Sequence, residues 1–371
     1  MSQLDPESAA AAFGRFFLPG PTEVHPDVLR AQTRPMIGHR GAPMQDFMRT
    51  LQEGLRHVFA TERPVLLSTS SATGLMEAAV RNVGSGRILS LVNGAFSERF
   101  AKIAGACGLE VEIMEVPWGG HHDPDDVGRR LAEVPYDAVT VVHSETSTGA
   151  LQDLRTIASV VAGFEDTLLL VDSVTGIGGA EVRTDAWALD FVLTGSQKAL
   201  ALPPGLAFGV ASDAMMARSA VAANKGVYFD LQVFDANLAK LQTPNTPAVS
   251  LMYALEEQLR RIRAEGIEAR WARHTAMAER TWAWVEETAA RRGIALRVLA
   301  APGHRSPTVT CVELPEHLPG PRVVAGMKER GFVIGGGYGK LKPTAIRIGH
   351  MGDHTVEEVD ALLAALEEVI S

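Results

Sequence analysis

Short apolar runs alternate with helix-like segments from about residue 60 to residue 212. The apolar runs are PVLLST, RILSLV, EVEIMEV, DAVTVVHSE, TLLLVDSV, DFVLTGS and GLAFGVAS, and segments such as GLMEAAVRNV and DLRTIASVVAGF lie between them. Runs that are apolar without alternation are typical of strands covered on both faces. The pattern therefore predicts an α/β fold with a doubly wound, mostly parallel sheet.

The pattern changes after about residue 250, where a long helical stretch begins. We expect Gly266 to break this stretch into two helices. The later runs, among them IALRVLA, TVTCVEL and AIRIGHMG, predict a smaller α+β domain. With 371 residues the chain exceeds what one hydrophobic core normally serves. We therefore expect an N-terminal arm over residues 1–21, a large domain over 22–255 and a small C-terminal domain over 256–371.

Composition narrows the class of protein. The chain is 46% hydrophobic and 21% charged, which is typical of a soluble globular protein, and its net charge of -9 argues against nucleic acid as a partner. No apolar run is long enough to span a bilayer, and the N-terminus lacks the features of a signal peptide. The two cysteines, Cys107 and Cys311, lie in apolar surroundings that favour buried thiols over a disulfide. We expect a cytoplasmic protein.

Three polar clusters follow strands of the predicted sheet. Asp172 ends TLLLVD, Lys198 comes one strand later, and Ser71 and Thr73 open a helix directly after a strand. Ligands of open α/β sheets bind beyond the carboxyl ends of the strands, and a helix start is suited to a phosphate. An amine, a carboxylate and an anion site together fit pyridoxal 5'-phosphate, although each cluster alone has an ordinary structural interpretation, such as a helix cap.

Seven segments occur in an order that resembles one known family. They are LPGPTEVHPDVLRA, SSATGLMEAAV, HSETSTG, LLLVDSVTGIGG, TGSQKALALPPG, QTPNTPAVSLMYAL and AIRIGHMG. The chain is similar, from about Phe17 to its end, to the class V (fold type I) pyridoxal-phosphate aminotransferases, in particular the alanine–glyoxylate/serine–pyruvate group. The resemblance implies a homodimer with shared active sites. It also implies ping-pong transfer of the amino group of alanine or serine to a 2-oxo acid, glyoxylate or pyruvate.

The resemblance also implies roles for individual residues. Lys198 would be the catalytic Schiff-base residue, and Asp172 would hold the protonated ring nitrogen. The implied cofactor contacts are Ser71, Ala72, Thr73 and Gln197 at the phosphate, Phe96 and Val174 on the ring faces, Thr146 near the phenolic oxygen, and Gln242 and Thr243 at the phosphate of the neighbouring subunit's cofactor. Gly20 would line the substrate pocket, and Arg347 would bind the substrate's α-carboxylate. For Arg347 an internal salt bridge is the alternative, and for Phe96 core packing.

The choice of substrate stays open at this point. Arg34, His39 and Arg40 in TRPMIGHRGAP either face the partner's site and bind a second acidic group, as in a phosphoserine or other acidic amino acid transaminase, or form a surface loop. Tyr338, in a glycine-rich loop before Arg347, is a candidate lid.

Other functions of the same fold are a pyridoxal-phosphate lyase or cysteine desulfurase, which needs a mobile thiol near the cofactor, and a binding protein without catalysis. We expect His121, His122 and Asp123 to form a solvated loop and not a metal site.

Overall fold

The computed structural model describes residues 13–223 and 225–371, so the first twelve residues of the predicted N-terminal arm lie outside the described residues. In the described part the helices are α1 (Pro26–Ala31), α2 (Ala42–Phe59), α3 (Ala72–Val83), α4 (Ala95–Ala106), α5 (Pro124–Glu133), α6 (Leu154–Val161), α7 (Asp213–Val221), α8 (Leu231–Leu238), α9 (Val249–Glu265), α10 (Ile267–Arg292), α11 (Gly320–Glu329) and α12 (Val356–Val369). The strands are β1 (Phe16–Phe17), β2 (Leu66–Ser68), β3 (Arg87–Val92), β4 (Glu110–Glu115), β5 (Ala138–Val142), β6 (Ser144–Glu145), β7 (Ala150–Leu151), β8 (Leu168–Asp172), β9 (Phe191–Gly195), β10 (Ala207–Ala211), β11 (Arg297–Val298), β12 (Thr310–Glu313), β13 (Val333–Gly336) and β14 (Ala345–Ile348).

Within the described residues, seven strands form a sheet in the order β2-β10-β9-β8-β5-β3-β4. β10 runs antiparallel to both of its neighbours, and the other adjacent strands pair in parallel. Every residue of β5, β8 and β9 is buried, as expected for strands covered by helices on both faces. The mixed α/β fold and its mostly parallel sheet are confirmed.

The edge strand β4 differs from the central strands. The apolar run EVEIMEV predicts a strand covered on both faces, yet the residues of β4 are half-buried or exposed, and Ile113 is 55% exposed. Glu110 and Glu112 flank Val111, but Ile113 and Met114 are adjacent, so Glu115 lies on the opposite face from the other two glutamates. Exposed positions therefore fall on both faces of β4, and charged side chains along a strand are typical of a sheet edge.

The parallel arrangement brings several chain segments to one edge of the sheet. β2, β3, β5, β8 and β9 all point the same way, so the segments that follow them start at the same edge. Asp172 ends β8, Lys198 lies three residues beyond β9, and α3 and α4 begin shortly after β2 and β3. This edge is where the polar residues predicted from the sequence lie.

A second sheet, in the order β1-β13-β14-β12-β11, forms from the C-terminal region and one N-terminal strand. Phe16 and Phe17 of β1 pair in parallel with Val333 and Ile334 of β13. β14, which contains Arg347, pairs with β12 and β13 in the antiparallel sense. The segment before residue 20 is thus part of the small sheet.

Two large hydrophobic clusters form the interior. The larger cluster runs from Val28 to Trp271, and the smaller one contains Phe17 together with residues from Met277 to Ile370. Gly266, with φ of 85°, separates α9 from α10, so the predicted break in the long helical stretch is confirmed. Along α10, Trp271 belongs to the larger cluster and Met277 to the smaller one. The predicted domain boundary between residues 255 and 256 stays a prediction. Among the described helices, none is long and apolar enough to cross a membrane.

Candidate active site

A cavity of about 470 Å³ lies at the carboxyl edge of the large sheet. Of the residues predicted as site residues, those that line it are Gly20, Ser71, Ala72, Thr73, Phe96, Thr146, Asp172, Val174, Gln197 and Lys198. Tyr338, the candidate lid, lines it as well. Arg347 does not line the cavity itself, but its Cζ lies 5.4 Å from the centre of the Tyr338 ring. The sequence-based hypothesis therefore concerns residues that the fold brings together.

Lys198 is the buried amine of this cavity, and only 8% of it is exposed. It lies in the tight connection between β9 and β10, where Ala201 N donates to the Lys198 carbonyl oxygen. Its Nζ donates to the carbonyl oxygen of Pro19 at 2.5 Å. Burial lowers the pKa of Lys198 to about 8, and the positive charge of Arg347 acts in the same direction. The neutral amine, which is the nucleophilic form, is thus within reach near neutral pH.

Asp172 is the buried carboxylate of the cavity. Val174 N donates to its Oδ1 at 2.8 Å, and this is its one hydrogen bond among the described residues. Burial raises the pKa of Asp172 to about 7 because a single backbone donor does not replace the lost water. A cation brought against the free oxygen would offset that cost and keep the carboxylate ionised.

The start of α3 forms an anion site on the cavity wall. Ser71 is the N-cap residue, and no side-chain cap hydrogen bond occupies its hydroxyl. The N–H groups of Ala72 and Thr73 belong to the first turn, which has no intrahelical acceptor in any α-helix. Gln197 lines the same cavity. Free N–H and O–H donors at a helix N-terminus are suited to a phosphate.

Apolar and hydroxyl side chains line the rest of the cavity. The ring of Phe96 lies 5.9 Å from Lys198 Nζ and 5.4 Å from the centre of the Tyr338 ring. Thr146 is buried, with its Oγ1 3.2 Å from Thr175 Oγ1, and Val174 is half-buried. Phe96 therefore faces the cavity instead of packing only in the core.

Arg347 extends from β14 without a carboxylate partner among the described residues. Its Nε donates to the Gly336 carbonyl oxygen at 2.9 Å, and its Nη1 donates to the Thr146 carbonyl oxygen at 3.1 Å. Burial lowers the pKa of Arg347, yet a guanidinium keeps its charge. The structure thus favours an external acceptor over the internal salt bridge, because the remaining N–H donors are available.

Two residues of the site escaped the sequence analysis. Arg99, on α4, lines the cavity, and its Nη2 lies 3.3 Å from the Tyr338 hydroxyl. Glu145, in HSETSTG, is completely buried. Glu145 could have been found from the sequence, because it is a lone acid between an apolar run and a Ser/Thr-rich turn. Arg99 could not, because it is one of several charged residues on a helix.

The predicted contacts from residues 242 and 243 lie outside this cavity. Gln242 Oε1 accepts from Arg40 Nη1 at 2.8 Å, and Arg40 also donates to the Thr243 carbonyl oxygen. Arg34 forms an ion pair with Glu256, and His39 is half-buried with no described hydrogen bond. Within one chain, these residues do not reach the site that contains Lys198.

The solvated-loop expectation is wrong for His122. Its ring is fully buried, with Nε2 2.9 Å from the Met114 carbonyl oxygen and Nδ1 2.9 Å from Gln152 Nε2. Gln152 is thirty residues away in the sequence, so the local pattern gave no sign of it. His121 stacks on His304, and Asp123 caps α5. No group of three or more His, Cys, Asp or Glu among the described residues is arranged to hold a metal ion.

Both cysteines are free thiols; Cys311 is buried as expected, whereas Cys107 is only half-buried. Cys311 is completely buried in β12, and burial raises its pKa to about 12. Burial also raises the pKa of Cys107, at the end of α4. Neither thiol lines the cavity. The desulfurase alternative needs an accessible thiolate at the site and is not favoured.

The residues of the cavity fit pyridoxal phosphate as a cofactor. Lys198 supplies an amine with a lowered pKa, and Asp172 is a buried carboxylate that lacks a cation. The first turn of α3 supplies free donors for a phosphate, and Phe96 supplies a flat apolar face. A phosphorylated aromatic aldehyde with a basic ring nitrogen complements each of these groups.

Comparison with known proteins points to one family. The profile described as Aminotransferase class-V matches residues 25–362. The chain is 38% identical over 360 residues to an uncharacterized aminotransferase of Methanocaldococcus jannaschii (94% of this chain, 91% of that protein) and 36% identical over 360 residues to the protein named soluble hydrogenase, small subunit, of a Synechococcus species (95% and 92%). The solved structure of an alanine–glyoxylate aminotransferase from a Nostoc species is 32% identical with a TM-score of 0.89 and covers 96% of this chain and 95% of that one. Other relatives are named serine–glyoxylate and L-aspartate–glyoxylate aminotransferase.

Proposed function

The chain belongs to the class-V aminotransferase family and is a pyridoxal-phosphate-dependent enzyme, and we propose that it moves the amino group of a small amino acid, alanine or serine, to glyoxylate or pyruvate. The observation that carries the proposal is the pair formed by Lys198 and Asp172. Both are buried at neighbouring strand ends in one cavity, and neither forms an ion pair with another described residue. A cavity that only bound a neutral ligand would have no need of both groups.

Lys198 and Asp172 have the roles of amine and counter-charge in this proposal. Bound pyridoxal phosphate supplies an electron sink for the electrons released at the substrate's α-carbon. Lys198 Nζ, whose pKa burial lowers, would hold the cofactor through its aldehyde carbon, and as a free amine it would carry the proton of the substrate's α-carbon. Asp172 would accept a hydrogen bond from the protonated ring nitrogen, and its negative charge would favour the positively charged ring.

The remaining side chains orient the reactants. The first turn of α3, with Ser71, Thr73 and Gln197, binds the phosphate. Phe96 packs against the ring and excludes water from its face. Val174 is assigned to the other ring face and Thr146 to the phenolic oxygen, as the resemblance implies.

Arg347 binds the α-carboxylate of the amino acid and then that of the 2-oxo acid. Two of its N–H donors are fixed by backbone carbonyls, so the guanidinium is oriented before a substrate arrives. Gly20 leaves room beside Lys198 for the substrate. The acceptor is proposed as glyoxylate or pyruvate because relatives over most of the chain carry glyoxylate in their names.

The active form is proposed to be a homodimer. Gln242 and Thr243 form one local cluster with Arg40 outside the cavity, as expected if they reach the site of a second subunit. Met36, Val221 and Val227 are large apolar residues that one chain leaves exposed. Binding of a second acidic group by Arg34, His39 and Arg40, and the cytoplasmic location, stay predictions.

A half-reaction panel tests this function. The yellow holoenzyme is mixed separately with alanine, serine, phosphoserine, aspartate and glutamate, and the loss of visible absorbance is followed. We expect alanine or serine to bleach it fastest, with glyoxylate or pyruvate restoring the colour. Fastest bleaching by phosphoserine or glutamate would contradict the proposed substrate class.

A substitution at Lys198 tests the assignment of the amine. Lys198→Ala should lose turnover by at least about 1,000-fold while it still binds some cofactor. Lys102→Ala, which removes an exposed amine, is the control. A Lys198→Ala enzyme with wild-type turnover would overturn the assignment.

A further inference from the structure

Glu145 is a fully buried carboxylate beside the cavity. Its Oε1 accepts from Ser147 N at 3.1 Å and from Ser147 Oγ at 2.6 Å. Its Oε2 accepts from Ser97 N at 2.9 Å and from Phe96 N at 3.1 Å. Among the described residues, no lysine or arginine forms an ion pair with it, so backbone N–H groups and hydroxyls compensate its charge.

The carboxylate packs directly against the N-terminus of α4. Gly94, the residue before the helix, has no side chain that could cap it, and Glu145 supplies the acceptor from another segment. A Cβ atom at residue 94 would lie 2.5 Å from Glu145 Cγ and 2.6 Å from its Cδ. The close approach of the two segments thus requires glycine at this position.

The first turns of α4 link Glu145 to the cavity. The N–H of Phe96 is one of its donors, and the ring of the same residue lies 5.9 Å from Lys198 Nζ. One turn later, the guanidinium of Arg99 lies 4.8 Å from the centre of the Phe96 ring and contacts Tyr338. A shift of this helix end would therefore move an aromatic ring and a cation of the site together.

We propose that Glu145 is a positioning residue for amino transfer: it holds Phe96 in the cavity through the first turn of α4 and places a fixed negative charge beside Lys198. The inference rests on the proposed function, because the role of Phe96 is to pack against the bound cofactor.

The negative charge of Glu145 affects the pKa values of the charged groups around the cavity. Arg99 on α4, Asp172 at the end of β8, Lys198 after β9 and Arg347 on β14 share its electrostatic environment, and Tyr338 and Cys311 lie next to Arg347. The negative charge raises the pKa of Lys198 and of Asp172. Removal of the Glu145 charge should lower the pKa of a nitrogen at position 198. The positive charges of Arg99 and Arg347, which lower this pKa, would then no longer be partly offset by Glu145.

The experiment compares Glu145→Gln, Glu145→Asp and Glu98→Gln as holoenzymes. Glu145→Gln keeps the shape, removes the charge and turns N–H donors toward the N–H groups of α4. Glu145→Asp keeps the charge but is too short to reach the helix. Glu98→Gln, on the same helix, removes a partly exposed carboxylate that pairs with Lys102 and is the matched control.

The readouts are the visible absorbance of bound cofactor against pH, its visible circular dichroism, and KM separately from kcat. In Glu145→Gln we expect the absorbance midpoint to fall by about half a pH unit or more and the dichroism to weaken. In Glu145→Asp the midpoint should stay near the wild-type value while the dichroism weakens. Glu98→Gln should match the wild type in all three.

Two results would overturn the inference. One is a Glu145→Gln holoenzyme with the wild-type midpoint and dichroism. The other, which decides the question if Glu145→Gln does not fold, is a Glu145→Asp holoenzyme with unchanged dichroism. A wild type without pH-dependent yellow absorbance would instead refute the proposed function, so the two failures are distinguishable.

Discussion

The guanidinium of Arg270 donates to the carbonyl oxygen of Ala199, the residue directly after Lys198, at 2.9 Å. The same side chain, 1% exposed, forms an ion pair with Asp353 at 3.0 Å. Asp353 lies shortly after β14, the strand of Arg347. One buried cation therefore connects the turn that carries Lys198 to the loop that follows the strand of Arg347.

Replacement of Arg270 by methionine should lower the free energy of unfolding by about 3–5 kcal/mol, because it leaves Asp353 buried without its nearest cation. Urea unfolding measures this quantity. Arg280→Met, which breaks a solvent-exposed pair with Asp360, should change it by less than about 1 kcal/mol. Equal effects of the two substitutions would contradict the role given to Arg270.

The stability of the apoprotein should depend on the protonation of Asp172. Its folded pKa of about 7 lies above the ordinary 3.8, so between these values the folded state holds a proton that the unfolded state has lost. The stabilisation of the folded state by protonated Asp172 is fully present below pH about 4 and is lost as the pH rises to about 7.

Asp172→Asn removes the contribution of Asp172 to the pH dependence of stability. Burial lowers the pKa values of His143 and His350 to about 4, so these residues make the folded state more stable as the pH rises, equally in the wild type and in Asp172→Asn. The free energy of unfolding of the wild type should therefore fall relative to that of Asp172→Asn between pH 4.5 and 7.5. A constant difference across that range would refute the assigned shift.

Arg347→Gln should raise KM for both carboxylate substrates by about 10-fold or more, since a charge-assisted pair is worth about 1.5–3 kcal/mol. Steady-state kinetics with donor and acceptor varied in turn measures the effect. Arg297→Gln removes an exposed arginine of the same sheet and should leave KM unchanged. The amino acid and its carboxamide are then compared as donors. If Arg347→Gln lowers kcat/KM for the carboxamide as much as for the amino acid, the guanidinium does not bind the carboxylate.

Gly20→Ala should reduce kcat/KM by about 100-fold or more, because small displacements of a reacting group have large effects on rate. The new Cβ would lie 2.3 Å from Lys198 Nζ, and φ at this residue is +110°. Gly303→Ala, at φ +83° with no atom within 4 Å, is the control for backbone strain alone. Similar losses in both variants would show that the contact with Lys198 is unimportant.

The central strands and the positions of Asp172 and Lys198 were predictable from the sequence. A parallel sheet covered on both faces requires continuous apolar runs, and such a sheet collects strand ends at one edge. Polar residues directly after such runs are therefore neighbours in space, even when 26 residues separate them in the chain. The free donors at the start of α3 followed from the same rule.

Contacts between distant segments could not be predicted in this way. The burial of His122 depends on Gln152 and the environment of Glu145 depends on the start of α4, and neither relation leaves a periodic pattern. Whether Gln242 reaches a cofactor depends on a second chain, which a sequence pattern does not place.

The parallel pairing of β1 with β13 has a consequence for the order of events during synthesis. Pro19, whose carbonyl oxygen accepts a hydrogen bond from Lys198 Nζ, lies two residues after β1, and the partner strand of β1 is made more than 300 residues later. A ribosome must therefore release almost the entire chain before Phe16 and Phe17 can pair with β13. The carbonyl oxygen of Pro19 is fixed beside Lys198 only at that stage, so a nascent chain that has folded its large sheet still lacks this neighbour of the buried amine.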